Sequence, residues 1–202
     1  MTRVVGTLCL LSAFACAGAV DDPLLERIAA GLSRPAVLRA EFTQTKTVAA
    51  LTRPIVTSGR FVYARQQGVL WIIERPYRAT YALTEDGVQE IDPNGAPVRD
   101  ARQGAGLHHV SRIFRALLEP DFPALEQYFT PSAKGDAGRW ELTLMPRGPL
   151  RQAFKTVRLR GGRFVEALWL DEANGDRMEI RFTAVREAVA LEADELRAQR
   201  RE

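Results

Sequence analysis

The apolar positions near the start of the chain change from a helical spacing to a strand spacing. Between Pro23 and Ser33 the apolar side chains recur every three or four residues, which predicts a short amphipathic helix with Pro23 at its first position. From Leu38 the apolar residues alternate with charged or hydroxyl residues, so that Leu38 and Phe42 share one side. This alternation is typical of a half-buried strand.

Further strands and turns follow in close succession. The segments IVTSGRFVYAR (55–65) and GVLWIIERP (68–76) are rich in aromatic and β-branched residues, and the polar turn between them predicts a hairpin. The segment ATYALTEDGVQEI (79–91) continues the pattern, with a tight turn at its acidic-glycine step. Because each strand is joined to the next by a short turn, we expect an antiparallel meander with one face that water can reach.

The second half of the chain contains one helical stretch and a second run of strands. Residues 107–128 return to helical spacing, interrupted by two prolines, and predict two short helices or one broken helix. Strand patterns resume in residues 138–146 and 154–186, with glycine-containing turns. The tail from Leu191 predicts a terminal helix or a frayed end.

Many strands and few helices define the expected fold class. The elements predict an α+β, mainly β protein in which one curved antiparallel sheet forms a partly closed barrel capped by helices. Such a barrel encloses an apolar space whose mouth is a common ligand site. No internal repeat or linker-like segment divides the sequence, which predicts a single domain from residue 20 to residue 202.

The first 19 residues have the pattern of a cleavable signal peptide. Arg3 precedes a short apolar run, and the small residues Ala17 and Ala19 precede two aspartates. We place the cleavage after Ala19, with Ala17 as the second choice, and a lipidated Cys16 is a further alternative. Cleavage after Ala19 removes both cysteines, which favours a bacterial periplasm over a disulfide-rich secreted class. No later stretch approaches the roughly 20 apolar residues of a membrane-spanning helix.

Charge and candidate chemistry narrow the class of ligand. The chain has 28 basic and 25 acidic residues that alternate along the sequence, so nucleic acid is not an expected partner. His108 and His109 would point about 100° apart on a helix, and no other histidine is present, so neither a metal site nor a cofactor is expected. Carboxylates occur singly and no nucleophile elbow accompanies them, which disfavours a hydrolase. A binding protein is therefore favoured over an enzyme.

Four stretches in residues 41–91 carry a resemblance to a known family. They are EFTQTK (41–46), GRFVYAR (59–65), the tryptophan of GVLWIIERP, and YALTEDGVQEI (81–91). In order and spacing they resemble the periplasmic outer-membrane lipoprotein carrier family, the LolA-like proteins. Gln66 stands where the family usually has proline, so the chain resembles a divergent member.

This resemblance implies an unclosed antiparallel β-barrel with a helical lid. The family's apolar interior takes up acyl chains and passes lipid cargo between inner- and outer-membrane components. The implied partners are an acyl lipid or lipoprotein and membrane-associated donor and acceptor proteins. The implied state is a monomeric periplasmic carrier without catalytic residues.

The resemblance and the strand pattern together name candidate site residues. Arg65 matches the family's strand-end arginine that hydrogen-bonds the lid backbone, which implies a latch for the lid. The alternative for Arg65 is an exposed side chain beside a hairpin turn, with its stem over apolar neighbours. Strand alternation marks seven side chains as candidates for the cavity wall, and a filled sheet core gives the same pattern. They are Phe42, Phe61, Tyr63, Trp71, Ile73, Tyr81 and Leu83.

A second function class stays open on the sequence. A periplasmic sensor or regulatory domain of the same fold would bind a protein partner on an exposed apolar patch, with lipid optional. An acyl-lipid carrier instead requires an apolar cavity. The large apolar strand faces and the amphipathic helices favour the carrier.

Overall fold

The structure is a computed structural model, and it describes residues 23–65, 67–84, 87–96, 98 and 125–199. Three predictions fall outside these residues. They are the signal peptide over residues 1–19, most of the helical stretch 107–128, and the pair His108 and His109.

The described residues form ten strands in one antiparallel sheet. The strands are β1 (Val37–Thr47), β2 (Ile55–Ala64), β3 (Gly68–Arg75), β4 (Ala79–Thr84), β5 (Gly87–Ile91), β6 (Phe129–Asp136), β7 (Arg139–Pro146), β8 (Phe154–Gly161), β9 (Val165–Glu172) and β10 (Arg177–Ala188). Their order in the sheet is β5-β4-β3-β2-β1-β10-β9-β8-β7-β6. Consecutive strands pair within each half, β1 to β5 and β6 to β10, and β1 pairs with β10 to join the two halves. Within the described residues the order ends in β5 and β6, so the sheet is not closed.

The helix α1 (Pro23–Gly31) shows that the sheet curves strongly. Its last residue, Gly31, packs against Ala137 in the turn between β6 and β7, while Ala36 accepts a hydrogen bond from Arg65 at the end of β2. The ring centroids of Trp71 on β3 and Phe182 on β10 also lie only 6.3 Å apart. In a flat sheet these two strands would be three strand spacings apart, about 14 Å. The sheet therefore bends around α1, as an unclosed barrel requires.

The side of the sheet that faces α1, called the inner face below, carries the main core. Leu25 and Ile28 of α1 pack there against side chains from both halves of the sheet. Leucines that are fully buried on the second half include Leu142, Leu144 and Leu168. Helix α1, β1 to β5 and β7 to β10 were all expected from the apolar pattern, and the structure confirms them.

The meander pattern led us to expect that water reaches one face of the sheet. The side opposite the inner face, called the outer face below, is in fact only partly exposed to water. A second apolar cluster lies there, and the C-terminal helix α2 (Ala193–Gln199) and the residues just before it cover it. Leu191 and Ala198 are the covering side chains, and Arg39 of β1 is buried beside them. The cluster consists of Val37, Val62, Ala64, Leu70, Ala82 and Ile91. Strands β3 and β4 are therefore buried on both faces where α2 contacts them.

Strand β6 was not predicted from the sequence. It contains Pro131 and Gly135, two residue types that are rare in strands. Gly135 adopts a φ of +102°, which favours glycine. The strand lies at the end of the sheet order, where a proline without an N–H group is tolerated. A short 3₁₀ helix (Gly148–Gln152) then leads from β7 to β8.

Candidate functional site

The seven wall candidates meet on the inner face. All of them belong to the main core, and their exposed fractions run from 0% for Trp71 to 6% for Ile73. They come from β1 to β4, where each strand presents every second side chain to the same side. The structure thus brings together the residues that alternation marked, as one apolar surface.

An aromatic cluster forms the centre of this surface. The rings of Phe42 and Trp71 lie 4.1 Å apart between centroids, and Phe61 meets Trp71 edge-on at 6.0 Å. Phe182 of β10 completes the cluster, with its ring 5.3 Å from that of Phe61. Phe182 was not among the predicted residues, although its alternation with Ile180 along β10 is visible in the sequence.

A small pocket opens beside this cluster, where α1 ends. Leu32 and Ser33 border it from the helix side, and Phe164 borders it from the other half of the sheet. Its interior is about 20 Å³, which is room for one water molecule. The remaining lining residues are Leu38, Ala40, Phe61, Arg163, Val165, Phe182 and Val185. The pocket thus lies between the end of α1 and the two halves of the sheet.

Arg65 lies at this same end of the sheet, directly after β2. Its Nη2 donates a hydrogen bond to the carbonyl of Arg34, three residues beyond the end of α1. Its backbone N–H donates to the carbonyl of Ala36 at 2.9 Å. Ser33 is tied in turn to the second half of the sheet, because its N–H donates to the carbonyl of Arg163 at 2.9 Å. The chain segment after α1 is thus held by backbone carbonyls and amides from both halves.

Ion pairs lie at the opposite end of the inner face. Lys46, near the end of β1, contacts Glu172 at 3.1 Å and Asp176 at 3.7 Å. A hydrogen bond from the Ala49 N–H, followed by the charge of Lys46, lowers the pKa of Asp176. On the wall itself, burial raises the pKa of the Tyr81 phenol above its ordinary value. The seven wall side chains therefore carry no charge near neutral pH, and the ion pairs of Lys46 lie at the rim of the wall.

Two structural features are absent from the described part of the chain. Among those residues, no group of three or more His, Cys, Asp or Glu side chains is placed to hold a metal ion. No helix within the same residues is long and apolar enough to cross a membrane.

Comparisons with known proteins give low identities to solved structures. A LolA superfamily protein from Nitrosomonas europaea is 8% identical, with a TM-score of 0.49, and the match covers 86% of this chain and 95% of that one. A complex of Pseudomonas aeruginosa MucA and MucB contains a chain that is 14% identical, with a TM-score of 0.48. That match covers 86% of this chain but 59% of the other, so this chain spans little more than half of its length.

A comparison with curated proteins found no match. A comparison with protein families found a match that covers most of the chain. The model of a family described as "Outer membrane lipoprotein carrier protein LolA-like" matches residues 14–195. This range includes all ten strands and α1. The chain belongs to the outer membrane lipoprotein carrier protein LolA-like family.

Proposed function

We propose that this protein is a periplasmic carrier that binds acyl chains against its inner face. The cargo would be a lipoprotein or another acyl lipid, passed between inner- and outer-membrane components. The observation that carries this proposal is the uncharged aromatic and aliphatic wall that lies beneath α1. Among the described residues, helix α1 covers part of this surface, so a ligand with the same apolar chemistry could replace it.

We expect an acyl chain to bind by taking the place of α1 side chains and not by filling a preformed cavity. The pocket beside α1 is about 20 Å³, far too small for an acyl chain. In this proposal the acyl chain displaces Leu25 and Ile28 of α1, which are buried in the main core. Each methylene group of the ligand that is buried contributes about 0.8 kcal/mol. Exposing Leu25 and Ile28 costs about 3 to 6 kcal/mol on the same scale, and reburying them offsets part of the cost of releasing the cargo.

Arg65 is the proposed latch of this exchange. Its side chain holds the carbonyl of Arg34, in the segment that must move when α1 leaves the wall. A hydrogen bond from a charged donor contributes about 1.5 to 3 kcal/mol, and less where water competes, as it does at the exposed Arg65. The latch is thus strong enough to bias the closed state and weak enough to open.

Replacing Arg65 by leucine tests the latch. We expect Arg65→Leu to change the rate of cargo release more than the free energy of unfolding, because the lost bond is on the surface. Release of a fluorescent fatty acid to acceptor vesicles, followed by stopped flow, measures the rate, and urea unfolding measures the stability. Arg78→Leu is the matched control, because Arg78 is an exposed arginine in the loop between β3 and β4. Equal release rates in Arg65→Leu and wild type would rule out a latch.

Mass spectrometry tests the carrier function itself. The protein should be purified without detergent from a bacterial periplasm and measured under native conditions and after solvent extraction. Stoichiometric acyl lipid supports the carrier and names the cargo class. A protein that stays free of ligand when phospholipid, free fatty acid and lipopeptide are added contradicts it. That result would favour the regulatory domain that binds a protein partner.

A further inference from the structure

The inner face changes from apolar to polar along β1. Its inward side chains run from Leu38 through Phe42 to Gln44, and the next is Lys46 at the rim. Directly opposite Gln44 on β2 stands Thr57, which is 5% exposed. Side chains that face each other in this way have Cβ atoms about 5 Å apart. Gln44 and Thr57 therefore form one polar pair between the aromatic cluster and the Lys46 end.

Two oxygen atoms of this pair are buried without a hydrogen bond. The Oε1 atom of Gln44 and the Oγ1 atom of Thr57 are shielded from water, and neither has a partner in the part of the chain that the structure describes. Buried polar atoms in native proteins nearly always have partners, because an unpaired one destabilises the fold. Valine has nearly the shape of threonine without the hydroxyl, so it would avoid this penalty at position 57. Contacts among the described residues therefore do not explain the polar pair.

We propose that Gln44 and Thr57 bind the polar group of the acyl ligand, and that this group is an N-acyl amide. This inference rests on the proposed carrier function and names its ligand more closely. The oxygen of Gln44 is an acceptor and needs an N–H or O–H group opposite it. The hydroxyl of Thr57 can donate one hydrogen bond. An amide supplies the N–H and the carbonyl on opposite sides of one planar group, whereas an ester has only acceptors.

The order of side chains along β1 sets the direction of the ligand. The acyl chain would extend from the polar pair over Phe42 and Phe61 towards the Arg65 end. The group attached to the amide nitrogen would point towards Lys46 and the solvent. An amide at this depth leaves the apolar chain on the aromatic wall and the polar remainder at the rim.

A matched pair of ligands tests this subsite. N-methyl lauramide and methyl laurate have the same chain length and differ in one N–H group, and each can compete with a fluorescent fatty acid for the purified protein. We expect wild type to bind the amide about three- to tenfold more tightly, as the one additional buried hydrogen bond predicts. Gln44→Met removes the acceptor that only the amide N–H can use, so it should reduce this ratio towards one while it retains affinity for the ester. Thr57→Val removes a donor that the carbonyl of either ligand can use, so it should weaken the binding of both ligands and leave the ratio close to the wild-type value.

Control variants and outcomes separate this inference from the carrier function. Thr43→Val and Gln89→Met change the same residue types at exposed positions and should keep the wild-type affinities for both ligands. Thr57→Val should melt at or above the wild-type temperature, because it removes an unpaired hydroxyl. If wild type binds the amide and the ester equally, the subsite is wrong and the carrier function stands. If it binds neither ligand, both proposals are wrong.

Discussion

The ion pair between Arg39 and Glu195 should be the main anchor of the C-terminal helix. The guanidinium contacts both carboxylate oxygens, with Nε to Oε1 at 2.7 Å and Nη2 to Oε2 at 2.5 Å. The two side chains are 9% and 1% exposed. Glu195 also accepts a hydrogen bond from the Glu192 N–H at 2.7 Å, which satisfies one free amide at the start of α2. The pair thus joins the cap of α2 to strand β1.

Removing one partner should cost far more than removing both. Arg39→Met leaves the Glu195 carboxylate buried with the Glu192 N–H as its remaining donor, and breaking such a pair costs about 3 to 5 kcal/mol. If α2 detaches, the loss is limited to its docking energy and the outer cluster around Leu70 is exposed instead. The double variant Arg39→Met, Glu195→Met places apolar groups on both sides and should lie within about 1 kcal/mol of wild type.

Urea unfolding of the single and double variants measures these free energies as a double-mutant cycle. Hydrogen exchange of the α2 amides distinguishes global destabilisation from local release of the helix. If Arg39→Met lowers the free energy of unfolding by less than about 1 kcal/mol while α2 stays protected from exchange, the ion pair is not the anchor of α2. A buried charge without its partner destabilises a protein by more than that. A double variant as unstable as the single one would refute the pairing argument.

The remaining predictions concern pH and two tightly packed positions. Burial opposes ionisation of Glu195, but its bonds from Arg39 outweigh this, so its pKa lies below the ordinary 4.5. The stabilisation of the folded state by the Arg39–Glu195 pair is therefore complete above pH 4.5 and is lost as the pH falls through the lowered pKa of Glu195. Urea unfolding at a series of pH values measures this loss. Gly59→Ala would place a methyl group 1.9 Å from a β3 carbonyl oxygen and should cost about 3 kcal/mol or more in thermal unfolding, whereas Gly138→Ala should cost little. Trp140→Phe removes a buried indole hydrogen bond of 2.9 Å and should cost about 1 to 3 kcal/mol by urea unfolding; a smaller loss would show that the bond is not needed.

The apolar period was enough to predict nine of the ten strands, because each presents a regular inner face. It could not assign the outer face. The run Val69 to Ile73 is apolar without alternation, a pattern that indicates burial on both sides. The pattern does not say what covers the second side, and the short segment that does so lies more than 100 residues later, at Leu191 and Ala198.

The sequence pattern also predicts some residues of the candidate site and not others. The wall residues follow from alternation, which is a local property of each strand. The carbonyl of Arg34 that Arg65 contacts is a backbone group, and every residue has one, so no sequence signal could select it. The importance of Gln44 was equally hidden, because its missing hydrogen bond is visible only when Thr57 lies opposite. Strand β6 was not predicted because Pro131 interrupts the strand pattern, although a strand at the edge of a sheet tolerates proline.

The pairing of β1 with β10 has a consequence for how the chain folds. Phe42 lies opposite Phe182, 140 residues further along, and this is the central pairing of the sheet. Each half is a local meander that hairpin formation can build early, but the two halves cannot join until the last strand is available. Contacts between distant residues make folding slow, in the range of milliseconds to seconds for sheet proteins of high contact order. During that interval the apolar inner faces of both halves are exposed, so the unjoined chain is the state most prone to aggregate and most in need of a chaperone.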